Sequence, residues 1–170
     1  YSSFLSRLYL AFWAVFFSGT LLHANSLTYK AGKSPNGKHL VFVASDHEYR
    51  AEETLPALAR ILAVYHGFDC TVLFGLNSIG EIEAGASNIP GLEVLKDADG
   101  MVIFARFLAL PPEQMKHIDD YLNRAGPVVG LRTSTHGFKY DKDRKNDPYA
   151  KYCFRYDGND YRGGFGHQVL

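Results

Sequence analysis

The sequence predicts an α/β domain built on a parallel sheet, and three observations predict it. Short apolar runs rich in Val, Ile and Phe alternate with helix-like segments. The runs at residues 40–44, 70–74, 100–104 and 127–131 are continuously apolar, as strands buried on both faces are. Three of them also run straight into polar clusters, as strands do when their carboxyl ends deliver a site. A parallel sheet with helices on both faces satisfies all three.

Taken in order, residues 1–24 are set apart first. Arg7 precedes an apolar core from Leu8 to about Phe17, and Leu22, His23 and Ala24 end it on a small residue. This pattern predicts a secretory signal peptide, shorter than the roughly 20 residues of a membrane span. An exported protein, periplasmic or secreted, is expected, touching a membrane only through this segment if it stays uncleaved. Residues 25–37, with Gly32, Ser34, Pro35, Asn36 and Gly37, read as a flexible lead-in. The domain then fills residues 38–170.

Within it, residues 40–44 form the first strand. Residues 52–65 carry Leu55, Leu58, Ala59, Leu62 and Ala63 at helical spacing, with Glu52 and Glu53 in front and Gly67 behind. Pro56 is placed in the first turn, where proline is tolerated. A second strand covers residues 70–74, and a Gly-, Ser- and Asn-bearing connection leads to a helical turn within residues 89–99 and a strand at 100–104. Residues 111–124 place Met115, Ile118, Tyr121 and Leu122 on one stripe, opened by Pro111 or Pro112 and closed by Gly126. The strand 127–131 follows. Beyond Gly137 the periodicity ends in a segment with tyrosines at 140, 149, 152, 156 and 161, expected to pack as a lid.

Composition narrows the function. Lys plus Arg and Asp plus Glu both number 18, so no general field attracts nucleic acid or an anionic surface. The two cysteines, Cys70 and Cys153, sit in apolar or aromatic surroundings and read as unpaired structural residues.

Chemistry gathers at the strand ends. The run PVVGLRTSTH at 127–136 resembles a nucleophile elbow, but Arg132 holds the nucleophile position and a guanidinium is neither nucleophile nor base near neutral pH. Ser134 lies near His136 with no orienting acid, which argues against serine catalysis. Arg132, Arg106 and Arg50 suit bidentate binding of a carboxylate, phosphate or carbonyl oxygen, or else loop-fastening ion pairs with Asp46, Glu48, Glu52 or Glu53. His136 or His47 suits proton transfer as a catalytic residue, with Asp46 or Glu48 behind it. Thr133 and Ser134 complete the candidate binding set at this edge. His47, His136 and His167 match no metal motif, so no metal or cofactor is expected, a divalent ion being the alternative. His23, His39, His66 and His117 read as processing-site, strand-edge and helix-surface residues.

As an ordered set, residues 38–50, 99–104, 127–136 and 163–167 (GGFGH) resemble the ThuA-like (trehalose utilisation) domain family. The resemblance implies a three-layer flavodoxin-like fold of the class I glutamine amidotransferase-like superfamily, with the family's C-terminal strands missing from this chain. It also implies a role in carbohydrate utilisation, with a small-molecule carbohydrate as partner. The amidotransferase cysteine position is occupied by Arg132, where family members often carry histidine, so glutaminase chemistry is not expected. His167 matches a histidine of the family's Gly-Gly segment and His136 falls near the same edge, so the resemblance adds His167 to the binding candidates and favours His136. Two functions follow: an enzyme acting on a sugar or oxidised sugar, or a non-catalytic carbohydrate-binding or protein-interaction domain that uses the arginines and the tyrosine-rich segment.

Overall fold

The computed structural model describes residues 25–141, 144, 147–155 and 164–170. The predicted signal segment, Tyr156, Tyr161 and Gly163 lie outside them. Five strands form one sheet: β1 Ser26–Tyr29, β2 His39–Ser45, β3 Asp69–Phe74, β4 Gly100–Ala105 and β5 Val128–Gly130, in the order β1-β3-β2-β4-β5. β3, β2, β4 and β5 are mutually parallel, and β1 lies antiparallel on β3. The arrangement is α/β and compatible with a flavodoxin-like fold.

β1 is a departure from expectation, because it falls inside the segment read as a lead-in. Its four residues alternate polar and apolar, but Leu27 and Thr28 are exposed and only Ser26 and Tyr29 are partly buried. Docking is secured instead by ladder bonds to β3 and by Asp69, whose carboxylate accepts the Ala31 N–H at 2.9 Å.

Alternation along the strands divides the core. Val41, Val43, Leu73, Met101 and Ile103 point to one face; Phe42, Ala44, Val72, Val102 and Phe104 point to the other. The second face is covered by helix α1, Ala51–His66, through Ala51, Leu55, Ala59 and Ala63, one residue per turn. Three alanines there let the helix lie close to the sheet. Gly67 ends α1 in the left-handed region, its N–H bonding to the carbonyl of Leu62. Pro56 falls at the sixth helical position rather than in the first turn, since the helix starts at Ala51; the bond to the Glu52 carbonyl is therefore absent.

The first face is covered by a 3-10 turn, Leu92–Asp97, and by helix α2, Pro112–Asn123, which buries Met115, Ile118 and Tyr121. The left-handed residue after α2 is Ala125 at φ 59°, not Gly126. Gly126 is needed for a different reason, because a Cβ there would lie 2.4 Å from the Tyr121 ring. Cys70 and Cys153 are both free and buried. The tyrosine-rich segment packs inward: Tyr152 is buried and its hydroxyl donates to Asp119 at 2.7 Å, while Tyr140 lies under the Arg144 guanidinium. A short helix α3, Phe165–Gln168, sets Phe165 against Phe138 and Tyr152.

Candidate functional site

β2 lies between β3 and β4; the connection from β2 to β3, through α1, runs on one face of the sheet and the connection from β3 to β4, through the 3-10 turn Leu92–Asp97, on the other. The crevice beyond the ends of β2 and β4 is thus the switch point where α/β sheets bind ligands.

At the end of β2, Asp46 is fully buried. Its Oδ1 accepts the backbone N–H groups of Glu48 and Tyr49 at 2.8 and 2.7 Å, and Thr133 Oγ1 donates to Oδ2. Ser134, also fully buried, lies 2.8 Å from the Ile103 carbonyl and accepts the Ala105 N–H at 3.2 Å. These groups bolt the ends of β2, β4 and β5 together. Thr133 and Ser134, expected among the binding residues, are enclosed and engaged inside the protein, so neither presents a hydroxyl to a ligand.

Arg106 follows β4. Its Nη1 lies 2.7 Å from Glu48 Oε1 and donates to His47 Nε2 at 2.8 Å, and its Nε is buried with no hydrogen-bond partner in the described structure. A guanidinium only donates, so His47 Nε2 is the acceptor and its ring proton is on Nδ1. Three expected residues, Arg106, His47 and Glu48, are thereby brought together.

His136 ends the 3-10 turn Arg132–His136. Its ring sits 5.1 Å from Phe107 and 5.6 Å from Phe154, with Nδ1 3.1 Å from Thr135 Oγ1. Burial, with the nearby Arg106 charge second, holds its pKa below the ordinary histidine range. The imidazole is therefore neutral near pH 7 and can accept a proton.

Arg132 is exposed, with its guanidinium 3.9 Å above the Tyr49 ring. Its backbone is left-handed, φ 46°. Arg50 (54°), Phe107 (55°) and Arg155 (59°) are left-handed as well, each costing on the order of 1–3 kcal/mol. Arg132 and Phe107 each lie two residues past the ends of β5 and β4. Such strain is held by the packing around it and marks this edge as a place where side-chain direction matters.

Two candidates stand apart. Arg50 pairs with Glu53 in solvent at the start of α1, as loop-fastening would have it. His167 is exposed on α3, and among the described residues no hydrogen bond joins it to the other candidates. Sequence reasoning missed Phe107, Phe154, Lys139, Arg155 and Tyr49. Phe107 and Tyr49 each had one signal, a place in the polar run after a strand, Phe107 beside Arg106 and Tyr49 after β2; Lys139, Phe154 and Arg155 depend on how the segment after Gly137 folds back. Among the described residues no group of His, Cys, Asp and Glu is placed to hold a metal ion. A cleft of about 410 Å³ lies away from this edge, against Leu122, Gly126, Val128, Lys151 and Tyr152.

No family model matches the chain, and no curated protein or solved structure matches it.

Proposed function

We propose that this chain is a ThuA-like domain of an exported protein, periplasmic or secreted, that serves carbohydrate utilisation by binding trehalose or a related sugar, oxidised or not, at the carboxyl edge of its sheet. The observation that carries the proposal is Arg132. It occupies the elbow after β5 in a strained conformation, with its side chain turned out over Tyr49. Arg106, with its unpartnered Nε, and the neutral His136 lie on the same edge. Arg132 and Arg106 bind oxygen atoms of the ligand, and His136 accepts a proton if turnover follows binding. Arginine at the elbow and the enclosed Ser134 argue against covalent catalysis there.

The finer fold assignment belongs to this reading: a class I glutamine amidotransferase-like sheet that continues past β5. Val129, in register with Val102 on the α1 face, is 56% exposed, an apolar face of β5 that the further helical cover of such a sheet would bury, which supports it. A second reading, a binding domain without turnover, draws on His47, whose Nε2 is already occupied by Arg106.

Thermal denaturation of the full chain with trehalose and oxidised disaccharides, beside Arg132→Ala, tests the proposal. A sugar-dependent rise in Tm that Arg132→Ala abolishes is expected. No shift with any of these sugars would overturn the site. Product analysis on the sugar that binds separates enzyme from binding domain.

A further inference from the structure

Among the described residues the sheet ends on β5, whose free side is made of backbone groups. The Met101 N–H donates to the Pro127 carbonyl and the Leu131 N–H to the Ile103 carbonyl, both at 2.9 Å. Alternate residues face the neighbour in a parallel ladder, so Val129 bonds toward β4 as well, while Val128 and Gly130 turn their N–H and C=O groups away from it. Those outward groups bond to no other described residue. Val128–Gly130 also lacks the charge or bulge that guards an open edge, which leaves it a template for a further strand.

The outward groups are symmetric about Val129, and that symmetry selects the occupant. An antiparallel strand of the same sequence, centred on Val129, sets Val128 opposite Gly130 of the second copy and Gly130 opposite its Val128. Each of these pairs exchanges both backbone bonds, and Val129 meets Val129 at the closer, non-bonded position. Registers centred on Val128 or on Gly130 use only one of the two outward residues. The side chains agree on both faces. On the α1 face the exposed Val129 gains an apolar neighbour. On the other face Leu170 lies against Gly130, where a Cβ would come within 2.3 Å of its Cδ1, and it stays 49% exposed, while the cleft of about 410 Å³ opens beside Val128. Because Val128 faces Gly130 of the second copy, the leucine that covers that glycine is carried to the cleft, and the same contact repeats across the dyad. We infer that a second copy of this chain continues the sheet past β5, its β5 pairing antiparallel about Val129 and its Leu170 entering the cleft beside Val128. The dyad stands normal to the sheet, so the two α1 helices flank the Val129 pair on one face.

Sedimentation equilibrium of the full chain, beside Val129→Lys and Val129→Cys, tests this. The mass is expected to rise to that of two chains as concentration is raised, and hydrogen exchange at the Val128 and Gly130 amides to slow with it. Val129→Lys sets two like charges opposite each other and should stay at the mass of one chain, with its Tm unchanged. Val129→Cys should form a disulfide-linked dimer on mild oxidation, because the close pair brings its Cα atoms to about 4.5 Å, within disulfide reach. Ile79→Cys, more exposed but in the loop after β3, should not. The mass of one chain at millimolar concentration overturns the inference; Val128 and Gly130 amides protected in that monomer would show that the chain covers its own edge. A dimer that survives Val129→Lys, or crosslinking as efficient through Ile79→Cys, overturns it by placing the contact elsewhere. None of these outcomes bears on sugar binding, so the function proposed above is tested separately.

Discussion

Thr133 shows how much of this edge depends on single atoms. Its hydroxyl donates to the buried Asp46 carboxylate, which takes its other bonds from the backbone of residues 48 and 49. Thr133→Val keeps the shape and removes the donor. It should cost about 1.5–3 kcal/mol in urea denaturation, the range for a hydrogen bond to a charged group, while Thr133→Ser should cost far less. Equal losses in the two variants would mean that the methyl packing, not the hydroxyl, holds the loop. The residue types of the site were readable in the chain, and Arg106, Arg132, His47 and His136 do come to one edge. Their directions were not readable. Nothing in the string Thr133-Ser134 tells which hydroxyls face inward, because that depends on a tight 3-10 turn with Arg132 left-handed at its head.

At the scale of elements, helix ends offer the sharpest test. Ala125 caps α2 in the left-handed region where glycine has no steric penalty. Ala125→Gly should raise stability by about 0.5–1 kcal/mol, the left-handed cost of an L-residue less the extra chain entropy of glycine. A loss of stability would show that the Ala125 methyl packs usefully. Helices and parallel strands were legible to within a residue or two because periodicity and continuous apolar runs report burial directly. β1 was not. Its residues, Ser-Leu-Thr-Tyr, alternate over only four positions and lie half in solvent on an edge, so its pairing is set by β3 and by Asp69 more than by so short a pattern. The segment after Gly137 hid its contribution similarly: Phe138 and Tyr152 enter the core across long sequence distances.

For the molecule as a whole, two histidines set a pH dependence. Burial lowers the pKa of His39 and of His136 below the ordinary value of 6.5. The unfolded chain therefore takes up protons that the folded protein resists, and stability rises with pH across that interval. The Tm should be highest above about pH 6.5 and should fall as pH drops below it, with a shallower slope in His39→Gln/His136→Gln. Asp69 and Asp99, held low mainly by the backbone N–H groups of Ala31 and His39, act in a separate window below 3.8. A flat profile between neutral pH and that acid window would count against buried, neutral histidines. The strand order carries one more consequence, in time rather than in energy. β2 is the middle of the sheet, yet Leu40 meets its β4 partner, Gly100, only after about sixty more residues have been made, roughly 3–12 seconds of ribosomal synthesis. Through that interval one flank of the central strand has no neighbour. A nascent chain halted before residue 100 should be markedly more prone to capture by chaperones than one halted just after the β4 strand has emerged.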